Sequence, residues 1–371
     1  MLVSFFILDG FRKEVKEKIF SFNGHIQVTK YTLGNTMEEE PISTHNLLYE
    51  SNAFDLVEHV QVFAHKGGLL KTDEEVYGVF MKGVGTDFDS ARFQRNIEKG
   101  SFLRFPPPDS ATYSTDVLLS RKIANALLLD TGDFVRMYFA DPPNYRVRKL
   151  YVRGIYNTGI EEFDDQVIIG DIDLIRRLND WPDTLAGGFE VYVKDYGKID
   201  QAEQQLANAL DYSLYVEKVS DKFMQLFEWL GLINNNVIIF IVLILFVACF
   251  NMMSILLILI MERTQMIGIL KALGAKNRQI RRIFSYNGLL LVVKGLLLGN
   301  LIGISFGLIQ YYFKVIPLDP ENYYMEFVPI EWNFLTIVLL NLLTLTVVGL
   351  VLGIPTVIIL RIQPINAIRF D

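Results

Sequence analysis

Hydrophobic and polar positions divide the chain into two textures. Residues 237–261, 284–313 and 334–360 are almost wholly apolar. At 1.5 Å per residue, the first run makes about 37 Å of helix, more than the roughly 30 Å of a bilayer's hydrocarbon core. Each run therefore predicts a transmembrane helix. Residues 9–236 instead mix charge, turns and aromatics. Alternation predicts strands at 24–31, 69–84, 134–139, 150–155, 166–169 and 189–193. Helical spacing predicts helices at 172–178 and 200–210 and a short one around Ile123, Ala124, Leu127 and Leu128. It also predicts one at 11–22, with Phe11, Val15, Ile19 and Phe22 on one side, and one at 52–64 through Phe54, Val57, Val60 and Phe63. A further helix is expected at 220–232, where Phe223, Leu226, Phe227 and Leu230 share a face and Trp229 suits a membrane interface. Thr131-Gly132-Asp133 reads as a turn and the triple proline at 106–108 as a loop. Short strands mixed with helices make this half an α+β domain.

Charge orients the spans. Residues 262–283 carry Arg263, Lys271, Lys276, Arg278, Arg281 and Arg282 against Glu262 alone. Residues 314–333 carry Asp319, Glu321, Glu326 and Glu331 against one lysine, and the tail at 361–371 carries Arg361 and Arg369. Short loops rich in Lys and Arg stay on the cytoplasmic side. Loop 262–283 and the tail are therefore expected inside, and 314–333 and the 9–236 domain outside. Residues 2–8, LVSFFIL, rise only about 10 Å as helix and cannot span. They read as the tail of a first transmembrane helix, an interfacial anchor, or a buried element of the domain. An outer domain needs an earlier span, which favours the first reading and makes 1–8 its remnant.

Segment 262–284 is also patterned. Met266, Leu270 and Leu273 recur at i, i+4 and i+7, Gly274 supplies a helix stop, and a second helix can start near Asn277. The alternative is a solvated turn whose charges serve only topology. In the span 284–313, Gly295, Gly299, Gly303 and Gly307 lie four apart on one helix face, a G-x-x-x-G pattern that lets another backbone approach. Lys294, about 15 Å along the helix from Phe284, must snorkel, face a cavity or pair. Asn251, Asn300 and Asn341 are expected to bridge helices by hydrogen bonds.

Composition narrows the function. The chain has 371 residues, 51% hydrophobic, and a net charge of −7, which gives no support for nucleic-acid binding. Its one cysteine, Cys249, excludes an internal disulfide. The four histidines show no metal-binding spacing. Glu161, Glu162, Asp164 and Asp165 form an acidic cluster that reads as a solvated loop rather than a catalytic pair. The sequence has no P-loop; its G-x-S-x-G spacing at Gly303 to Gly307 falls inside an apolar run rather than at a strand-to-helix turn, and nothing in the chain composes an active site.

The stretch ERTQMIGILKALGAKNRQIRRIF resembles the cytoplasmic loop of MacB/FtsX-like ABC permeases. GFRKEVKEKIFSFNGHIQV at 10–28, LLSRKIANALLLDTGDFV at 118–135, VRGIYNTGIEEFD at 152–164 and PINAIRFD at 364–371 resemble the lipoprotein-releasing LolC/LolE branch of that superfamily. The resemblance implies a helical membrane bundle, here three full spans and the remnant of a first, with a large extracytoplasmic α+β domain. It implies a non-catalytic permease with no cofactor of its own. ATP would be bound by a separate cytoplasmic ABC ATPase subunit. Met266, Ile269, Leu270 and Leu273 would dock in a groove of that subunit, up to the stop at Gly274, with Glu262, Arg263 and Lys271 as a polar rim. Further implied partners are a second permease copy or a related permease, membrane lipids, lipoprotein cargo and a periplasmic carrier, all at a bacterial inner membrane. Efflux or mechanotransmission is the alternative within the superfamily. A membrane-anchored receptor or sensor without an ATPase is the alternative from another class.

Overall fold

The computed structural model describes residues 1–371 apart from 33–37, 49–53, 74, 108–111, 142–143, 320–322, 324 and 358–371. Pro108, the end of the third apolar run and the tail motif at 364–371 lie outside the described residues. The chain divides into two compact units: residues 15–227 with 318–326, and residues 1–14, 228–317 and 327–371.

The first unit is the α+β domain. Its strands are β1 (Ile26–Lys30), β2 (Ile42–Ser43), β3 (Val57–Lys71), β4 (Val76–Val84), β5 (Ile97–Gly100), β6 (Asp116–Ser120), β7 (Phe134–Asp141), β8 (Asn144–Tyr156), β9 (Val167–Asp171), β10 (Leu185–Ala186), β11 (Gly188–Val193) and β12 (Leu214–Lys218). The main sheet runs β12-β1-β11-β3-β4-β9-β6-β8-β5, and β7 pairs with both β3 and β8. That double pairing closes β3, β4, β9, β6, β8 and β7 into a ring, which leaves fewer open strand edges to protect. Val135, Met137 and Phe139 of β7 are buried, as are Leu150 and Val152 of β8 and Val79 and Met81 of β4, with the period of two that a one-sided core imposes. Residues 15–23 of helix α1 (Leu2–Asn23) and helices α2 (Arg121–Ala126), α3 (Ile172–Leu178) and α4 (Ile199–Ala209) belong to the same unit as the strands. The Asp171 side chain starts α3 by accepting from the Asp173 amide at 3.0 Å.

Strand β3 changes partner along its length. It pairs with β11 from Val57 to Phe63 and with β7 from Gly68 to Lys71. Between these stretches carboxylates take the strand's amides: Glu39 accepts from His65 N at 2.9 Å and Glu38 from Gly67 N at 3.0 Å.

Two expectations are corrected. Of the helix expected at 52–64, residues 52–53 lie outside the described residues and 54–64 do not form a helix; from Val57 onward they belong to β3. Gln61, Val62, Phe63 and Ala64 are all buried, so both strand faces are covered and no alternation marks them. The apolar spacing of three then imitates a helix. Residues 220–232 are not one helix either. A single turn, Val219–Lys222, ends at Phe223 (φ −105°, ψ 40°), and a new helix starts at Met224.

A buried charge network sits behind the end of α1. Lys82 and Glu190 are fully buried and 2.6 Å apart. The Lys82 ammonium also donates to the Phe22 carbonyl and lies 4.8 Å from the Phe22 ring centroid. Glu190 accepts from Gln61 at 2.8 Å and from Gln27 at 3.2 Å, and Lys222 donates to Gln27 at 2.7 Å. Burial pulls the Lys82 pKa below its ordinary value, and the Glu190 charge opposes that pull. The network thus ties the end of α1 and the turn at Val219–Lys222 into one sheet.

In the second unit, α5 (Met224–Glu262), α7 (Asn277–Phe313) and α8 (Phe334–Val351) follow in order, with the short α6 (Thr264–Ala272) between the first two. Among the described residues three helical stretches are long and apolar enough to cross a membrane: Met224–Glu262, Asn277–Phe313 and Phe334–Thr356.

Lys82→Met leaves Glu190 buried without its cation and is expected to destabilise the domain by about 3–5 kcal/mol. Lys82→Met combined with Glu190→Gln, which removes both charges and keeps the amide partners, is expected to recover most of that loss. Thermal unfolding of the two purified variants checks the difference.

Candidate functional site

The basic segment between the first two spans is built as an elbow, a short helix and a stop. Helix α5 ends at Glu262 and α6 begins at Thr264, so Arg263 alone (φ −102°, ψ 17°) turns the corner. The Thr264 hydroxyl donates to the Met261 carbonyl at 2.7 Å, which satisfies an acceptor that the turn frees. At the other end, Ala275 N donates to Leu270 O at 2.9 Å and Gly274 N to Lys271 O at 3.0 Å. With Gly274 at φ +92°, these bonds form a Schellman stop. Helix α7 then opens at Asn277, with Gln279 Oε1 accepting from the Lys276 amide at 2.9 Å.

One side of α6 is buried. Ile267 and Gly268 have no appreciable exposure, and Ile267 belongs to an apolar cluster with Ile260, Ile280, Phe284 and Leu352. Leu270 and Ala275 pack half-buried against that cluster. The other side is open: Met266, Ile269 and Leu273 are exposed, Leu273 to 80%. Glu262, Arg263 and Gly274 are exposed and Lys271 is half-buried. The eight residues singled out from the sequence therefore share one segment, but Leu270 faces the bundle more than the others do. Ile267 was missed. Apolar residues at 266, 267, 269 and 270 surround so much of the helix that periodicity alone does not choose the buried face.

The glycine stripe divides into two parts. Beyond Gly307 the Trp332 ring lies 2.8 Å from where a Cβ would stand, and at Gly303 the nearest atom is Leu2 Cβ at 3.7 Å. Gly295 and Gly299 have no heavy atom within 4 Å of that position. They line an open groove of about 590 Å³ with Leu2, Met252, Asn300 and Thr344. Gly288, outside the stripe, is buried tightly: a Cβ there would stand 2.7 Å from Leu256 and 3.2 Å from Leu352. It continues the buried face Ile280, Phe284, Gly288, at i, i+4 and i+8.

Polar glue joins the spans. Asn300 Nδ2 donates to Asn341 Oδ1 at 2.9 Å and Asn341 Nδ2 returns a bond at 3.3 Å, as expected for helix bridges. Asn251 and Lys294 are exposed. Gln310, buried, was not anticipated: its amide donates to Val328 O at 3.0 Å and its oxygen accepts from Ile316 N at 3.0 Å, which pins the loop after α7. In the domain, the acidic cluster is not the solvated loop expected: Glu161–Asp164 is a single helical turn, and Asp164 is buried. Asp164 accepts from Thr158 N at 3.1 Å and Gly159 N at 2.7 Å, and Asp165 pairs with Lys122 at 2.5 Å. Burial raises the Asp164 pKa and the Thr158 and Gly159 hydrogen bonds lower it, with burial the stronger.

The description of the MacB-like periplasmic core domain matches residues 1–209, and that of the FtsX-like permease C-terminal region matches residues 238–364. The lipoprotein-releasing system transmembrane protein LolE of Haemophilus influenzae is 23% identical over 91% of this chain and 83% of its own length. The lipoprotein-releasing system transmembrane protein LolC of Xylella fastidiosa is 20% identical over 100% of this chain and 90% of its own. Among solved structures, the periplasmic region of MacB from Actinobacillus actinomycetemcomitans aligns with 58% of this chain and 97% of its own, at 12% identity and a TM-score of 0.39.

Gly288→Leu and Gly307→Leu overpack their neighbours and are each expected to cost about 1–3 kcal/mol. Gly295→Ala and Gly299→Ala, whose Cβ atoms meet no neighbour within 4 Å in this chain, are expected to leave its stability unchanged. The temperature at which each detergent-purified variant leaves the monodisperse peak in size-exclusion chromatography checks the contrast.

Proposed function

The chain belongs to the MacB/FtsX family of ABC transporter permeases, and from that membership we propose that it is the permease subunit of a lipoprotein-releasing transporter. In this reading a separate ATPase subunit binds and hydrolyses ATP in the cytoplasm. Helix α6 carries its closing stroke into α5 and α7, and the outer domain passes an acylated protein from the inner membrane to a periplasmic carrier. A second copy or a related permease completes the membrane part. The observation that carries the coupling role is the open apolar face of α6, Met266, Ile269 and Leu273, on a helix whose opposite side is held by Ile267. Burying one such side chain in a partner's groove contributes roughly 1.5–3 kcal/mol. Three together make a docking anchor with Glu262, Arg263 and Lys271 around it. The cargo assignment is supported by the similarity to relatives named as lipoprotein-releasing proteins, which extends over most of both chains.

Met266→Asp with Leu273→Asp charges the open face without touching the side chain that holds the helix. Each substitution is expected to cost about 2 kcal/mol of docking, so the affinity for the ATPase should fall by roughly a thousandfold in the pair and co-purification should be lost. ATP-driven lipoprotein release should fall to background while the protein stays folded and membrane-inserted. Normal release by this variant would overturn the coupling role. Depleting the wild-type protein tests the cargo separately: lipoproteins accumulate in the inner membrane if release is the function, and do not if the stroke serves efflux or mechanotransmission.

A further inference from the structure

Helix α7 presents a second surface that the coupling role leaves unused. Ile280, Phe284 and Gly288 turn into the bundle. On the other side of the same helix Arg278, Arg282, Tyr286, Leu289, Val293 and Leu297 form one exposed stripe. Successive steps of three or four residues keep them on a single face. The stripe is graded. Two guanidinium groups come first, separated by about 6 Å of helix rise. A tyrosine, 63% exposed, follows about 6 Å further on, and then only aliphatic side chains, with Leu297 65% exposed. This is the order a bilayer presents: charged headgroups, an interfacial belt about 7 Å deep that suits tyrosine, then hydrocarbon.

The charge at the head of the stripe has little to balance it. Residues 262–283 hold six cations and one carboxylate, Glu262. Arg281 engages the Thr356 hydroxyl at 3.3 Å, Arg263 is exposed next to Glu262 in the chain, and Lys271 is half-buried. Lys276, Arg278 and Arg282 are exposed and, among the described residues, form no ion pair with a carboxylate. Arginine in particular matches the planar, two-oxygen face of a phosphate.

We propose that Arg278 and Arg282 form a binding site for the phosphodiester headgroup of an anionic phospholipid, seated where α7 enters the hydrocarbon. The lipid's acyl chains run along Tyr286, Leu289, Val293 and Leu297. Two faces of one loop then have separate tasks: α6 offers its apolar face to a protein, and the start of α7 holds the membrane. The proposal needs only that α7 crosses a bilayer and does not depend on the identity of the cargo or of the ATPase.

The test measures binding of headgroup-labelled phosphatidylglycerol to the detergent-purified full-length chain, competed with unlabelled phosphatidylglycerol, phosphatidylcholine or inorganic phosphate. Each basic residue at an anionic surface contributes about a fivefold gain in affinity. Arg278→Gln with Arg282→Gln is therefore expected to weaken phosphatidylglycerol binding by about 25-fold. Arg278→Lys with Arg282→Lys should retain most of it, and Arg104→Gln, an exposed arginine of the domain, should change nothing. Phosphatidylcholine and inorganic phosphate should compete poorly. Unchanged affinity in the double glutamine variant overturns the site. Competition by inorganic phosphate as strong as by the lipid makes it a free-anion site and overturns the lipid assignment. Unchanged lipid affinity with loss of ATPase co-purification assigns the arginines to a protein partner and overturns it equally.

Discussion

Ile267 is fully buried in a nine-residue helix whose Met266, Ile269 and Leu273 lie open. Its side chain sits among Ile260, Ile280, Phe284 and Leu352, residues from the end of one span, the start of the next and the last helical stretch. Such a helix is too short to hold its shape alone. Burial of Ile267 supplies what local propensity cannot, and the Schellman stop at Gly274 fixes its length. With the inner face spent on the bundle, the apolar outer face is left for another molecule. The proposed coupling role rests on that division: a force applied to Met266, Ile269 and Leu273 would reach the ends of the two long helices that flank α6.

The domain solves a different problem with charge. One edge of its long strand β3 is shared by two neighbours, β11 and β7, and between them Glu38 and Glu39 accept from the amides of Gly67 and His65. The Lys82–Glu190 pair is fully buried, where a simple apolar pair costs less desolvation. What the ion pair adds is direction: the ammonium reaches the Phe22 carbonyl at the end of α1, and the carboxylate gathers Gln27 and Gln61 from two further strands. A buried network satisfied in this way specifies one arrangement of the helix end on the sheet.

Much of this was legible in the sequence because its signals are strong and local. The three apolar runs, the basic and acidic loops, the strands of the β7–β8 region and the stop at Gly274 each show in a few residues. The failures share a cause, which is burial decided by distant parts of the chain. Residues 52–64 read as a helix because Val57, Val60 and Phe63 lie three apart and, at 61–64, both faces of β3 are covered, so no alternation corrects the reading. Helix α6 is apolar nearly all round, so the buried residue was chosen by Ile260, Ile280 and Phe284 rather than by its own spacing. In α7 four glycines in register suggested a continuous close contact. The tight contacts are at Gly307 and at Gly288, where Trp332, Leu256 and Leu352 happen to stand. The Lys82–Glu190 pair joins residues more than a hundred positions apart and leaves no local trace.

The measurement that bears most directly on the central claim is site-specific photo-crosslinking from position 269 in native membranes, with position 290 on the lipid-facing side of α7 as the comparison. The account predicts that position 269 yields an adduct containing an ATP-binding subunit and that position 290 yields none. Adducts from position 269 confined to lipid or to the chain itself would contradict it.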